Sequence, residues 1–403
     1  MILTEREQAM LNGEMGPGFA RAMRVLVGIG KAFGAKRMVP ITRGHISLSN
    51  QEGDLWFCSK LLEEGAHCQV PPSVNPAYDY EYFKTVSNLD AENERTLKST
   101  IDVYRKLGAI LTFDCTPFFE NNVPRFGEIT SFSASGGAVY VNSVLGARTN
   151  REAAQSAMCA AITGVTPEYG LLLDENRAGD VLIQVEADIQ TEYDCELLGY
   201  ITPKKMGQTY HCPVFNGMSP HTTAEQLMDM GTQLNIHGIV PMFHVVGVTP
   251  EAVDLNAAFR GRTDYPVVTI TNDDLAQARA EISAGTGKAD FCILGCPHLT
   301  INQVGSIAKM LEGQQLVGQL YIFTSTSTKE LARRMGYLDV IHKAGGEIVI
   351  NSCVDQPCWS HLHGKSGVTE SPKCAYYTKR WNMEFTVKSI PACIQSVLKG
   401  EIV

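Results

Sequence analysis

Three cysteines each follow a short apolar run, at the point where a strand is predicted to end: Cys115, Cys296 and Cys353. The carboxyl ends of strands are where open α/β sheets gather their reactive groups. Three thiolates from distant segments can hold an iron–sulfur cluster while leaving one coordination position open. An open position permits Lewis-acid catalysis. The three thiols are therefore predicted to be metal ligands, with a [4Fe-4S] and a [2Fe-2S] cluster both compatible.

Histidines and one further cysteine accompany these thiols. His298 follows Cys296 by two residues, and His45 is placed in the loop after the first predicted strand. Both are candidates for moving a proton. Cys358 is either a fourth ligand or a neighbouring thiol. Two histidines follow it closely, His361 and His363, and they are interpreted either as a metal-binding pair or as part of a polar loop.

Two segments between residues 147 and 177 carry an unusual density of Arg, Asn and carboxylate among small residues. One interpretation is an internal ion-pair network that packs helices together. The other is a wall that binds an anionic substrate, with Arg gripping a carboxylate through two parallel hydrogen bonds. The second interpretation gives these candidates, with Asn75 added from a predicted strand-end loop: Arg148, Asn150, Arg151 and Arg177.

Hydrophobic periodicity predicts alternating helices and strands, which is typical of βα units with mostly parallel strands. Thr4 and Glu7 form a capping box at the start of the first helix. Predicted helices cover 19–33, 55–64, 91–107, 222–235, 273–283, 300–312 and 328–336. Predicted strands cover 37–41, 67–70, 109–113, 181–200, 239–245, 289–295, 319–324 and 347–351, and the strands of 181–200 begin with the apolar run 181–185.

The predicted architecture is α/β, with parallel-sheet βα subdomains around a central active-site cleft. A polar connection over 203–220 suggests a boundary, which divides the chain into a catalytic part at 1–210 and a second βα part at 211–403. The second part would carry two of the three thiols. A length of 403 residues is ample for such a core.

Composition narrows the function classes. The formal charge is -9, and no basic stripe is present, so nucleic acid is not an expected partner. The first residues lack a signal-peptide pattern, and the apolar runs are too short to span a bilayer. Twelve cysteines in a cytoplasmic protein are expected to be free thiols or ligands rather than disulfides.

Several longer matches carry a family resemblance. The most specific is the eleven-residue run from Asn142 to Glu152. Further matches are Leu3-Thr4, Met10 to Glu14, Pro40 to Thr42 with His45, Asn75-Pro76, Cys115 to Pro117, Pro124 to Glu128, Thr166 to Gly170, Leu173 to Arg177 and Gly295 to His298. On these residues the chain resembles the large subunit of the aconitase X family over nearly its whole length.

The resemblance implies an aconitase-like fold and a hydro-lyase that dehydrates a small hydroxy acid. Assigned members act on cis-3-hydroxy-L-proline or on 5-phosphomevalonate. It implies an iron–sulfur cluster held by three cysteines, which map to Cys115, Cys296 and Cys353. It also implies a small subunit as partner, because the small swivel domain of the family is absent from these 403 residues.

The chain departs from the family pattern at three places. One of them follows Cys353, where residues 355–359 replace an apolar segment that is usual in the family. Ala134 and Gly136 stand where the family commonly has a carboxylate and a hydroxyl, and Leu172 stands where it commonly has a histidine. A divergent member with a different hydroxy-acid substrate is therefore one alternative. Two others are a non-catalytic metal-binding protein and a metal-free enzyme with a thiol nucleophile such as Cys353.

Overall fold

The computed structural model describes residues 1–48 and 51–403. Its helices, numbered in chain order, are α1 Glu5–Asn12, α2 Pro17–Ala32, α3 Glu52–Glu63, α4 Tyr80–Val86, α5 Ala91–Leu107, α6 Ser135–Ser143, α7 Ala154–Thr163, α8 Glu192–Met206, α9 Ala224–Gly238, α10 Leu255–Ala258, α11 Asn272–Ile282, α12 Ile301–Leu311, α13 Thr326–Arg334, α14 Tyr337–Ala344, α15 Pro372–Thr378 and α16 Ile390–Lys399. Its strands are β1 Met38–Pro40, β2 Arg43–Ile46, β3 Ser73–Val74, β4 Thr130–Phe132, β5 Val165–Pro167, β6 Val181–Val185, β7 Pro213–Asn216, β8 His244–Val245, β9 Val267–Ile270, β10 Phe291–Leu299, β11 Gln319–Thr324, β12 Gly346–Val349, β13 Ser366–Thr369 and β14 Glu384–Val387.

The first part of the chain is rich in helices. The predicted capping box is confirmed, because the Glu7 N–H donates to Thr4 Oγ1 at 3.3 Å and the Thr4 N–H donates to Glu7 Oε2 at 2.8 Å. Strand β2 pairs in parallel with β3 and β4, and β1 pairs antiparallel with β5. Helices α2, α3, α5 and α7 cover these strands over one buried core.

The middle part holds a parallel sheet of order β8-β7-β6-β9. Its apolar core lies between this sheet and helices α8, α9 and α11. The boundary suggested at 210/211 falls inside this sheet, because β6 and β7 lie on either side of it and are hydrogen-bonded neighbours. The polar segment 207–212 connects α8 to β7, within one β-α-β unit of this sheet.

The last part holds a parallel sheet of order β12-β11-β10-β13-β14, with β10 at its centre. Every residue of β10 is buried. Phe291 and Ile293 face the core shared with the first part, whereas Cys292 and Leu294 face a second core under α12 and α16. This alternation is the period-2 pattern of a strand buried on both faces.

The α/β class and the parallel sheets are confirmed, and four strand predictions are wrong. Of the strands predicted over 181–200 only β6 forms, because Thr191 caps helix α8, which begins at Glu192. Over 67–70 the N–H groups of Cys68 and Gln69 donate to carbonyls at the ends of α5 and α7, at 2.8 Å each, so no strand forms. Over 109–113 only an isolated bridge at Ile110 remains, and Phe113 adopts a left-handed φ of 47° that breaks an extended run. The strand predicted over 239–245 shrinks to β8. None of the described helices combines the length and apolar character that crossing a bilayer requires.

Candidate functional site

Three distant thiols line one cavity of about 240 Å³, here called the thiol cavity: Cys115, Cys296 and Cys353. It opens between the first and last parts of the chain. The parallel order of β10, β11 and β12 explains part of the convergence, because the carboxyl ends of parallel strands meet at one sheet edge. Cys353 lies four residues beyond the end of β12, and Cys115 lies in the turn before the 3₁₀ segment Pro117–Phe119.

Cys296 reaches the cavity through an irregularity in β10 and not through a loop beyond it, which corrects the sequence prediction. The pairing with β11 breaks between Leu294 and Leu299, so the intervening residues bulge out of the ladder. Gly295 makes the bulge with φ 108°. A Cβ there would lie 2.2 Å from the Phe323 carbonyl oxygen, so only glycine fits.

Two of the sulfurs accept backbone hydrogen bonds. The His298 N–H donates to Cys115 Sγ at 3.2 Å, and the Asp355 N–H donates to Cys353 Sγ at 3.4 Å. Burial raises the pKa of Cys115 to about 12 and raises those of Cys296 and Cys353. Desolvated thiols of this kind are poor nucleophiles on their own, which disfavours the metal-free thiol enzyme.

Two cationic side chains share the cavity wall, and the sequence analysis singled out one of them. Arg151 lies exposed at the mouth, and Lys373 is partly buried near the sulfurs. Within residues 1–48 and 51–403, neither side chain makes a hydrogen bond or an ion pair. Burial lowers the pKa of Lys373, but the charges of Cys296, Cys115 and Cys353 outweigh burial, and the pKa is raised overall.

Lys373 was missed, although a local signal precedes it. Glu370-Ser371-Pro372 follows the apolar end of β13, and Ser371 caps α15 with Pro372 in the first turn. That pattern marks a strand-to-helix junction and places Lys373 at the carboxyl edge of the sheet. Ser47 and Tyr377 also line the cavity and were missed. Ser133, Ser135 and Asp355 line it as well, and they lie in two of the segments where the chain departs from the family pattern.

The two histidines stand behind the cavity wall. His45 lies in β2 and not in a loop, which corrects that prediction; its Nδ1 contacts Ser73 Oγ at 2.8 Å and its Nε2 contacts Asn75 Oδ1 at 3.1 Å. Burial lowers the pKa of His45 to about 4. Asn75 itself lines the cavity. His45 therefore supports a wall residue instead of facing the cavity.

His298 is almost fully buried beside two of the thiol loops. Its Nδ1 lies 3.2 Å from Asp114 Oδ1, and its Nε2 lies 2.8 Å from the Ser352 carbonyl oxygen. The pKa of Asp114 is lowered, because hydrogen bonds from His298 and Thr116 outweigh burial. The ring thus ties together the segments that carry Cys115 and Cys353.

Three of the predicted substrate-binding residues form the internal network that was the alternative interpretation. Arg177 is fully buried and bonds to Glu251 and to carbonyls that include Leu171 O at 3.1 Å. Arg148 donates to Leu172 O at 2.9 Å and to the Asp174 carboxylate. The contacts of the third are equally local: Asn150 Nδ2 donates to Tyr169 O at 3.0 Å, and Asn150 Oδ1 accepts from the Leu171 N–H at 3.0 Å.

This network holds the loop that carries Arg151. It corrects the expectation that all four residues of the 148–177 region face a substrate. The donors of Arg148, Asn150 and Arg177 are already used, and none of the three lines the thiol cavity. Only Arg151 of that group reaches it.

Cys358, His361 and His363 do not line the thiol cavity. Cys358 is fully buried in the core next to Trp359. His361 Nε2 contacts the Tyr321 hydroxyl at 3.2 Å, and His363 is exposed. Their placement supports the loop interpretation over a metal-binding pair.

The parallel sheets and the cavity between the first and last parts define an α/β protein with a thiol-lined cleft. The chain belongs to the aconitase X family. The models of the first, second and third aconitase X domains match residues 1–175, 179–280 and 289–399. These limits follow the three groups of strands.

Individual proteins of known class that are similar to this chain support the same family. The phosphomevalonate dehydratase large subunit of Thermococcus kodakarensis is 33% identical, over 98% of this chain and 99% of the relative. The cis-3-hydroxy-L-proline dehydratase of Pseudomonas aeruginosa is 30% identical, over 98% of this chain and 69% of the relative. The crystal structure of Thermococcus kodakaraensis aconitase X in its holo form superimposes with a TM-score of 0.87 at 31% identity, covering 98% of this chain and all of that one.

These relatives are dehydratases, and the predicted enzyme class, a hydro-lyase, is confirmed. The predicted family and fold are confirmed as well. The non-catalytic metal-binding protein is thereby disfavoured.

Proposed function

We propose that this chain is the large subunit of an iron–sulfur hydro-lyase that removes water from a small phosphorylated hydroxy acid. One observation carries the proposal: three thiols and two unpaired cations, Arg151 and Lys373, line the same cavity. Thiols supply soft ligands for iron, and the cations supply partners for an anionic substrate.

The donor set consists of three thiols, which is the ligand type that holds iron–sulfur clusters. Within the part of the chain that the structure describes, no group of three or more His, Cys, Asp or Glu side chains could hold a metal ion. Cysteines that hold a cluster bind different iron atoms, so their sulfurs need not surround one point. The N–H groups directed at Cys115 and Cys353 stabilise thiolate charge, as outer-shell donors do.

Cys115, Cys296 and Cys353 are the residues that would hold an iron–sulfur cluster, and the cluster would supply Lewis-acid chemistry for loss of the substrate hydroxyl. Lys373 balances negative charge deep in the cavity, and Arg151 grips a carboxylate or phosphate at the mouth. Asn75 offers an amide to a substrate hydroxyl, and His45 fixes the orientation of that amide.

The remaining predicted site residues are assigned positioning roles. His298 holds the Asp114 and Ser352 segments, which flank two thiols. Arg148, Asn150 and Arg177 hold the loop before and after Arg151. None of these residues contacts the substrate in this proposal.

A separate small subunit is proposed as the partner. The relatives named as large subunits imply one. Arg151 is exposed at the cavity mouth, so a covering subunit would desolvate it and strengthen its grip on an anion. We assign the base that removes the substrate proton to that subunit. The cytoplasm is proposed as the compartment, because all twelve cysteines are free thiols.

A phosphorylated substrate is favoured by charge. The wall carboxylate Asp355 is already paired with Arg380 at 2.5 Å, which leaves Arg151 and Lys373 for two anionic groups. The amino terminus of α6 also opens on the cavity at Ser135 and Gly136, where backbone N–H groups attract anions. 5-Phosphomevalonate carries both a carboxylate and a phosphate.

The test is a dehydration assay of the anaerobically prepared two-subunit complex. 5-Phosphomevalonate, cis-3-hydroxy-L-proline and unphosphorylated mevalonate are compared by NMR detection of the new double bond. The proposal predicts turnover of the phosphorylated acid and little of mevalonate. Preference for hydroxyproline would move the substrate assignment to the second relative. No turnover of any of these by iron-loaded complex would point to a different hydroxy acid and contradict the substrate proposal.

A further inference from the structure

A second cavity, of about 580 Å³, shares the lining residue Pro297 with the thiol cavity. Five carboxylates line it, and no Lys, Arg or His of the described residues does. They come in two pairs spaced i, i+4 on α8 and α9, with a fifth from the end of β13. We call this space the acidic cavity and define it by these residues: Glu192, Glu196, Glu225, Asp229 and Glu370.

Three of the five carboxylates have partners. Glu192 Oε2 accepts from Gln303 Nε2 at 2.8 Å, and Glu225 Oε1 accepts from the Thr300 hydroxyl at 3.1 Å. Glu370 Oε1 accepts from the Gly295 N–H at 2.7 Å, inside the bulge of β10. These three side chains are accounted for by the fold.

The other two are buried without any partner. Glu196 is 2% exposed and Asp229 is 6% exposed, and both line the cavity. Neither makes a hydrogen bond or an ion pair with any residue in 1–48 or 51–403. A buried carboxylate without a protein partner is costly, so two of them facing one cavity form a site that favours a positively charged group.

The shape and chemistry of the acidic cavity select the kind of cation. The carboxylates do not form a metal site, because no such group among the described residues could hold a metal ion. The volume is that of a small organic ligand and far exceeds a bare ion. Apolar side chains form much of the wall, among them Leu299, Met310 and Ile390.

We propose that the acidic cavity binds an organic ammonium, with an alkyl body against the apolar wall and its positive end between Glu196 and Asp229. A linear alkyl diamine has this chemistry. The site is distinct from the thiol cavity, although Pro297 borders both. The proposal does not depend on the identity of the dehydrated substrate.

The experiment is isothermal titration of 1,5-diaminopentane into the two-subunit complex at neutral pH and fixed ionic strength. 1,5-Pentanediol, which has the same alkyl body and no charge, is the control ligand. We expect saturable binding of the diamine and none of the diol. Glu196→Gln and Asp229→Asn are each expected to weaken binding about tenfold or more, because a charged partner is lost.

A matched variant separates the site from general charge effects. Glu312→Gln removes one acidic charge at an exposed position outside the cavity and is expected to leave affinity unchanged. Glu225→Gln, at a less buried position, provides a second test should either buried variant fold poorly. Absence of saturable binding, equal weakening by Glu312→Gln, or displacement of the diamine by Mg²⁺ at matched ionic strength would each overturn the proposal. Binding to the isolated chain that the small subunit abolishes would also overturn it.

Discussion

The thiol cavity and the acidic cavity share Pro297 as a lining residue and differ in how their charges are balanced. The thiol cavity sets Arg151 and Lys373 against its three sulfurs. The acidic cavity sets five carboxylates against no basic side chain among the described residues. One site therefore contains cations that can bind an incoming anion, and the other contains buried carboxyl groups without a basic partner.

The bulge of β10 connects the two cavities. Glu370 lines the acidic cavity and accepts hydrogen bonds from the N–H groups of Gly295 and Cys296, at 2.7 and 3.3 Å. A carboxylate that binds backbone N–H groups in a buried site fixes local geometry strongly. Cys296 is thus held in place from the acidic side while its sulfur lines the thiol side.

The largest expected effect comes from removing a thiol of the thiol cavity. We expect loss of bound iron from each of the variants Cys115→Ala, Cys296→Ala and Cys353→Ala. Their dehydration rate should fall by more than about 10- to 100-fold, which is the loss typical of removing a residue that only supports a metal ligand. Iron content and turnover of the anaerobic complex are the measurements. Cys292→Ala, in the same strand β10 but outside the cavity, should retain iron. Equal iron loss in that control would indicate general instability instead.

Substitution of two arginines of the same sequence region should affect different properties, stability for Arg177 and activity for Arg151. Arg177→Met leaves Glu251 without its main partner and is expected to lower the free energy of unfolding by about 3–5 kcal/mol, measured by denaturant titration. Arg151→Met should leave that free energy nearly unchanged. Its kcat/KM should fall roughly 10- to 100-fold, through the loss of a charge-assisted bond of about 1.5–3 kcal/mol. A reversed pattern would return Arg177 to the substrate site.

A smaller effect should appear in the acidic cavity as a dependence on pH. Burial, then the charges of Asp229 and Glu370, raise the pKa of Glu196 well above its ordinary value. The folded protein then binds this proton more tightly than the unfolded chain. The stability contributed by this group is complete below the unfolded pKa of about 4.3 and is lost as pH rises through the folded pKa.

Glu196→Gln removes that loss. The free energy of unfolding of this variant, relative to the unsubstituted chain, should therefore increase by about 1–3 kcal/mol between pH 5 and pH 8. Its melting temperature, relative to that of the unsubstituted chain, should rise over the same pH range. Glu312→Gln serves as the exposed control, with no such trend. A variant that is less stable than the native chain at pH 8 would show that Glu196 has a partner, and the comparison of the two cavities would fail.

The sequence predicted much of the thiol cavity, because an apolar run that ends at a cysteine reports both a strand and its carboxyl end. This reasoning holds for Cys353, which follows the end of β12. It holds in part for Cys296, which lies inside β10 and not in a loop beyond the strand. It failed for Cys115, whose preceding segment makes turn and bridge contacts with residues 72–74 instead of a strand. Local patterns do not reveal which backbone groups a distant segment will supply.

The sequence also did not predict which charged side chains are buried. Arg148, Arg151 and Arg177 look alike along the chain, and only long-range partners such as Glu251 separate a structural arginine from an exposed one. The carboxylate pairs of α8 and α9 had a readable i, i+4 spacing that puts each pair on one helix face. That spacing is also typical of a solvated face, so it did not show that Glu196 and Asp229 point inward.

The most direct measurement is an anomalous-difference map recorded at the iron absorption edge, from crystals of the anaerobically prepared complex. The account predicts strong density inside the thiol cavity, in contact with the sulfurs of Cys115, Cys296 and Cys353. Iron located elsewhere, or fully active crystals with no iron peak in that cavity, would contradict it.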